Sequence, residues 1–395
     1  GIRFYLMIDG ENQVSEVAFR KLSQSIAYTI RQHVEQNLVY QDMVANVWTM
    51  HPQITRDEFR HLVMSEAFAP GLEVMTGISL TPRVVGSAAR QTLENAASSE
   101  ALRQLCCAND PSTGTSCATV AATGLFCNEE AGARYQITQF GASGLVPAVA
   151  NTADYLERVG AEEYMVVDMI EPFAANAKVW GFNLLSSEAR NQAWKSAKAT
   201  GQKTVTRRLN LVQSSVKEFG FLVWLPVFAN EQGDWTTAWD GNVAKLTPMG
   251  SVNGVYRAQQ LLTAAIESTY SKEQLSDLSI FLFDNAEELN GEAQYLGLWS
   301  QKIKPDFEHF QYASISEVTK DKEYAWIFEN IPIKIRSSDA RWNVIVAASD
   351  TYLSDRRTNN AWYGLVVSVT MLIAGAVERW LGHPALLLQK AAEVC

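Results

Sequence analysis

Hydrophobic positions in the first fifty residues recur at steps of three or four. Phe19, Leu22, Ile26, Ile30 and Val34 form one stripe, and residues 11–50 contain neither Gly nor Pro. The pattern predicts one nearly continuous helix. About forty residues make roughly 60 Å of helix, a length that suits a stalk or a dimer seam as well as a helix laid on a core. His51-Pro52 ends the run. The stretch ITRDEF at 54–59 then predicts a capping box, with Thr55 as N-cap and Glu58 three residues on, and a second helix to about Phe68. GISLTPRV at 77–84 reads as a strand running into a turn, and SAARQTLENA at 87–96 as helical.

The period changes beyond residue 160. YMVVDMI (164–170), KTVTRRLNLV (203–212), GFLVWLPVF (220–228) and GSVNGVYRA (250–258) are β-branched or aromatic runs bounded by Gly, Pro or Asn. A helix at 187–200 separates the first two, and a short helix lies at 260–268. LSIFLFDN (278–285), YAWIFE (324–329) and WNVIVAAS (342–349) predict a second, smaller sheet. The order of elements gives an α+β fold rather than regular βαβ alternation.

Near the far end, residues 361–377 carry no charge. As a helix they would reach roughly 26 Å, just under a hydrocarbon core of about 30 Å. Trp362, Tyr363 and Trp380 flank the run, as interfacial aromatics do. The expectation is a transmembrane helix at 361–382, with a buried core helix as the alternative. Residues 2–8 are too short to span and read as the outer end of an upstream segment.

Composition narrows the function. The net charge is −10, and basic clusters are limited to Arg207-Arg208 and Arg356-Arg357, which argues against nucleic acid as a partner. Cys106, Cys107, Cys117 and Cys127 fall within a Gly/Ser/Thr-rich stretch with no CxxC and no nearby His. Zinc is therefore disfavoured, and the expectation is two disulfides closing a long loop, in an extracytoplasmic domain. Four reduced thiols are the alternative. There is no phosphate loop, GxGxxG, HExxH, GxSxG or EF-hand pattern, and the five histidines show no metal spacing. No catalytic residue, metal or cofactor is assigned.

One stretch carries more than turn chemistry. Residues 164–201 place Tyr164, Pro172, Asn176, Gly181-Phe182, Arg190, Ala197 and Thr200-Gly201 in order. Then follow Leu211-Val212-Gln213, FLVWLPVF at 221–228 and Gly254-Val255-Tyr256-Arg257. Upstream lie ITRDEF, TPRV, Arg90 and Glu94. This series resembles the CHASE family, the extracellular sensory domain of histidine kinases, nucleotide cyclases and plant cytokinin receptors, over roughly residues 12–265. Two departures stand out: Asn183 replaces the family's Asp, and the cysteine stretch 106–127 is an insertion.

The resemblance implies a membrane-anchored sensor with a stalk helix (1–50), a distal PAS-like module (51–262) and a proximal PAS-like module (263–355). The kinase or cyclase output would lie outside this chain. Carried over position by position, the family's acidic ligand contact falls on Arg190, its small hydroxyl on Trp224 and its backbone contact near Val212. Arginine has donors only, so it cannot accept hydrogen bonds from a purine edge. With Arg207 and Arg257 on strands of the same sheet, the expected ligand is anionic or rich in acceptors, held between RRLNLV and FLVWLPVF. Expected partners are such a small molecule, the membrane and a second copy through the stalk helix. The competing reading is a membrane-anchored structural or assembly subunit that keeps the fold without a ligand.

Overall fold

The computed structural model describes residues 2–101, 125–128, 132–135, 137–141, 144–148, 162–211, 218–238, 242–285, 293–303, 314–320, 327–336, 338–348 and Tyr352. The elements are helix α1 (Ile2–Met50), α2 (Arg56–Val63), β1 (Met75–Val85), α3 (Gly86–Ala101), the hairpins β2 (Leu125–Asn128) with β3 (Gly132–Tyr135) and β4 (Thr138–Gly141) with β5 (Gly144–Pro147), β6 (Glu163–Met165) and β7 (Met169–Glu171). Then come α4 (Glu188–Thr200), β8 (Thr204–Val205), β9 (Leu209–Asn210), β10 (Phe219–Ala229), β11 (Trp235–Thr236), β12 (Thr247–Arg257) and α5 (Ala258–Glu267). The chain continues through β13 (Leu278–Asp284), β14 (Gln294–Ser300), β15 (Ile327–Lys334) and β16 (Arg341–Ala348).

The first helix is continuous for 49 residues, as its stripe predicts, and extends further upstream. It lies along both sheets. Phe19, Ile26, Ile30, Val34 and Leu38 pack with Leu278, Ile280, Val344 and Val346 of the smaller sheet and with Val223 and Tyr256 of the larger. Val44, Ala45 and Trp48 continue onto Ile78, Leu80, Leu225, Val227 and Val252. The capping box at Thr55 is present: the Thr55 hydroxyl accepts from the Glu58 N–H, and Glu58 Oε2 accepts from the Thr55 N–H at 2.8 Å.

The larger sheet runs β11-β10-β12-β1-β6, with β7 beside β1 and β8 and β9 beside β10. Every residue of β10 is buried, and its alternation divides the protein. Phe221, Val223, Leu225 and Val227 face α1, while Leu222 and Trp224 face the opposite core with Phe182, Leu185 and Trp194. On β12, Gly254 admits the helix. A Cβ there would meet the Tyr256 ring at 2.9 Å and the Gln41 side chain at 3.1 Å, and Gln41 reaches past to donate to the Val223 carbonyl at 2.9 Å. The glycine of the Gly-Val-Tyr-Arg run is thus a packing requirement.

The smaller sheet runs β14-β13-β16-β15, all antiparallel. Helix α5 joins the two sheets, burying Leu261, Leu262, Ala265 and Ile266 in the core shared with α1. The boundary expected at 262/263 falls inside this helix. KTVTRRLNLV does not form one strand, contrary to its pattern. It makes only the two short strands β8 and β9, because the Thr206 hydroxyl takes the Leu222 N–H at 2.9 Å and interrupts regular pairing with β10. Strands β11 and β14 lack a strong sequence signal. Cys127 lies on β2, whereas Cys106, Cys107 and Cys117 lie outside the described residues. Residues 353–395, with the expected span at 361–382, also lie outside them. Among the described residues no helix is long and apolar enough to cross a membrane.

Candidate ligand-binding site

The polar residues of the 169–202 stretch build a frame. Asn176 Nδ2 donates to the carbonyls of Thr76 and Pro172, each at 2.9 Å, so the loop is pinned to β1. Trp180 Nε1 donates to the Asp168 carbonyl at 2.8 Å. Asn183 is fully buried, and its Oδ1 accepts from the Met165 and Leu185 N–H groups at 3.1 and 3.2 Å. An amide oxygen performs there the accepting role open to the family's carboxylate, without bringing a charge into the core. Gly201 closes α4 at φ 69°, where a side chain would also collide with Ala238 and Val243.

This frame lays Phe182 and Leu184 over the sheet and starts α4 so that Arg190 points inward. Between them and Leu209, Leu211, Leu222 and Val255 is a cavity of about 20 Å³. One water needs about 10–15 Å³, so the space is closed to anything larger without movement. The wall is apolar except for Ser79 and Arg190. Arg190 is only 5% exposed, and its guanidinium carbon lies 5.6 Å from the Phe182 ring centre. Burial lowers it to about 10, which still leaves it charged at neutral pH.

Trp224 lies just beyond this wall. It is fully buried, its ring 5.3 Å from that of Trp194, and its Nε1 makes no hydrogen bond among the described residues. Trp194 in turn donates to Glu163 Oε1 at 2.8 Å, and Glu163 also pairs with Arg83 at 3.0 Å and Lys198 at 3.3 Å. Burial pushes the Glu163 carboxyl up, but the hydrogen bonds from Arg83 and Trp194 and the Lys198 charge outweigh it, and the net effect is downward.

A second, wider space of about 260 Å³ opens where the two sheets meet. Gln192 and Ser196 of α4, Arg207, Asp284, Asp339 and Arg341 line it. Its charges are of both signs. Asp284 is 6% exposed; burial raises its carboxyl to about 6 against the opposing influence of Arg207 and of the Arg208 N–H it accepts.

The arginines expected together are therefore separated. Arg190 faces the small cavity, whose wall includes Leu209, Leu211 and Leu222. Arg207 lies on the junction cleft instead. Arg257 pairs with Glu218 at 2.9 Å and lines neither space. Val212 lies outside the described residues. The sequence pattern contained no sign of Asp284 or Asp339, because their role depends on the approach of the second sheet. Among the described residues no cluster of His, Cys, Asp or Glu is arranged to hold a metal ion.

A family model described as the CHASE domain matches residues 52–295, more than half of the chain. The chain belongs to the CHASE family. The match runs from the turn after α1 through the larger sheet and α5 into β14, so it includes every residue lining the small cavity and, of the junction cleft, the α4 residues, Arg207 and Asp284 but not Asp339 or Arg341. No curated protein sequence matches. Among solved structures, the chain is similar to the ligand-binding domain of the Pseudomonas aeruginosa amino acid chemoreceptor PctC in complex with GABA, at 13% identity and TM-score 0.38, covering 85% of this chain and 99% of that one. It is also similar to the corresponding domain of PctB from the same organism in complex with L-Arg, at 10% identity and TM-score 0.38, covering 85% and 95%. A third is the Pseudomonas fluorescens chemoreceptor CtaA domain in complex with L-leucine, at 10% identity and TM-score 0.37, covering 86% and 97%.

Proposed function

We propose that this CHASE chain is the extracytoplasmic sensory part of a membrane-anchored receptor. Its distal module holds a small, acceptor-rich ligand against Arg190, and its output domain lies outside the chain. The observation that supports this is a charged guanidinium on the wall of an otherwise apolar cavity, at the family's ligand-facing position. A carboxylate would engage that guanidinium bidentately, and Leu209, Leu211, Phe182 and Leu184 would exclude water. The 20 Å³ cavity is the closed state, and ligand uptake requires these walls to part.

The anchor is the apolar run at 361–377, within the expected segment 361–382, and the cysteines at 106–127 close a disulfide-bonded loop. A second copy docks along α1. Val17, Tyr28, Val39 and Met50 are 53, 56, 52 and 78% exposed and stand eleven residues apart, so they lie almost in line along the helix. The seam matches its own image in a parallel pair.

Binding of small carboxylates and of adenine compounds to the purified chain tests the ligand reading. Arg190→Ala is expected to weaken carboxylate binding about tenfold to a hundredfold, the equivalent of about 1.5–3 kcal/mol. Tight adenine binding that survives the substitution would overturn it. The closed cavity and the fully packed Trp224 favour one alternative, a structural or assembly subunit that retains the fold. No binding across the panel, with Arg190→Met raising stability, would establish that reading instead.

A further inference from the structure

The segment 203–211 lies between the two cavities and is bonded on both sides. Toward the distal sheet, Thr204 and Val205 pair with Trp224 and Val223, and Leu209 and Asn210 pair with Gly220 and Phe219. Leu209 and Leu211 then form part of the distal cavity wall. Toward the proximal sheet, Lys203 bridges to Ser338, and the Val205 N–H donates to Asp339 Oδ1 at 2.8 Å. The Arg208 N–H donates to Asp284, and the Arg208 guanidinium donates to the Tyr295 carbonyl at 3.1 Å. A nine-residue segment with so little ladder pairing of its own is thus held by carboxylates at Val205 and Arg208.

We infer that Asp339 and Asp284 clamp this segment so that the distal cavity wall answers to the protonation state of the junction, making the sensor proton-coupled. Three features support a clamp rather than passive packing. The two carboxylates accept backbone N–H groups, so they fix the path of the chain rather than a side chain. The gripped residues sit within a few positions of Leu209 and Leu211. The junction cleft of about 260 Å³ lets water and protons reach the cluster. Among the described residues, the charged groups facing Asp284 are Arg207 and Arg208 from the segment, Asp339 from the turn before β16, and Arg341 from β16. Burial raises Asp284 to about 6, so its proton exchanges close to neutrality. The Arg208 N–H and the Arg207 charge hold the ionised carboxylate more strongly than the neutral acid, but burial outweighs them. Lifting the segment rehydrates Asp284 and is therefore favoured as pH rises through 6, so the segment is held more firmly in acid. Its purpose rests on the ligand reading of the distal cavity, but its action does not.

Hydrogen exchange of the ligand-free chain tests it, with rates corrected for the intrinsic pH dependence of exchange. In the wild type, amides 208–211 are expected to exchange about tenfold faster at pH 7.5 than at pH 5. Asp284→Asn should hold them in the slow state at both pH values. Asp339→Ala should speed exchange both at Val205 and at 209–211. Protection at 208–211 that is independent of pH in the wild type, or an Asp339→Ala effect confined to Val205, would overturn the clamp. Since no ligand is present, failure of carboxylate binding would count against the sensory reading alone.

Discussion

The two spaces in this protein differ in volume by about an order of magnitude, and the difference follows from what lines them. The distal cavity has a wall of aliphatic and aromatic side chains around one guanidinium and is closed to about 20 Å³. The junction cleft has four charged side chains and polar groups of α4, and stays open at about 260 Å³. Apolar walls gain by collapsing on each other, because dispersion contacts and water exclusion both favour it. Charged walls gain by staying hydrated, because full closure would strip solvent from every ion. In the proposed sensor, the site that opens for a ligand and the junction that exchanges protons are thus built from opposite materials.

The largest expected effect lies on the closed side. Trp224→Ala removes a fully buried indole from its contact with Trp194 and should destabilise the chain by about 3–5 kcal/mol in reversible denaturant unfolding. A loss below about 1 kcal/mol would mean that the distal core is not packed tight, and the contrast with the cleft would fail.

The next effect lies on the open side and has the opposite sign. Asp284 has a folded value of about 6, above the ordinary carboxylate value, so its contribution to stability is complete in acid and is lost as pH rises through 6. Asp284→Asn should therefore stabilise the chain by about 2–3 kcal/mol at pH 7.5, with the gain shrinking toward zero below pH 4. Equal stability of the two proteins at both pH values would place Asp284 in solvent.

Smaller again is the frame above the distal cavity. Asn183→Ala leaves the Met165 and Leu185 N–H groups without the acceptor they share, which should cost about 1–3 kcal/mol. Asn183→Asp restores the acceptor but buries a charge, so it should fall nearer Ala than wild type at pH 7.5. A fully stable Asn183→Asp protein would show that this core tolerates charge as the junction does. The smallest effect is expected at Gln192, an exposed residue on the cleft wall. Gln192→Ala should stay within about 0.5 kcal/mol of wild type.

Much of the fold was readable because it rests on local rules. The stripe from Phe19 to Val34, the capping box at Thr55, the glycine stop at Gly201 and the apolar run of β10 each report on residues a few positions apart. The segment 203–211 misled the reading for the same reason. Its β-branched run looks like a strand, but beyond two short pairings with β10 its backbone is held by carboxylates on β13 and in the turn before β16, more than 70 residues away in the chain. The three arginines show the same limit. Arg190, Arg207 and Arg257 have one chemistry in the sequence, whereas the fold gives them a closed cavity, an open junction and a Glu218 partner respectively.

The sequence by itself carried the family resemblance, the long helix and the capped start of the helix that follows it. These depend on periodicity and spacing, which a linear chain carries directly. Only the tertiary structure decided that the distal cavity is shut, that Trp224 packs beyond its wall, and that Asp284 and Asp339 grip the intervening segment. Burial and the pairing of distant charges decide these points, and both are set by which surfaces meet after the chain has folded.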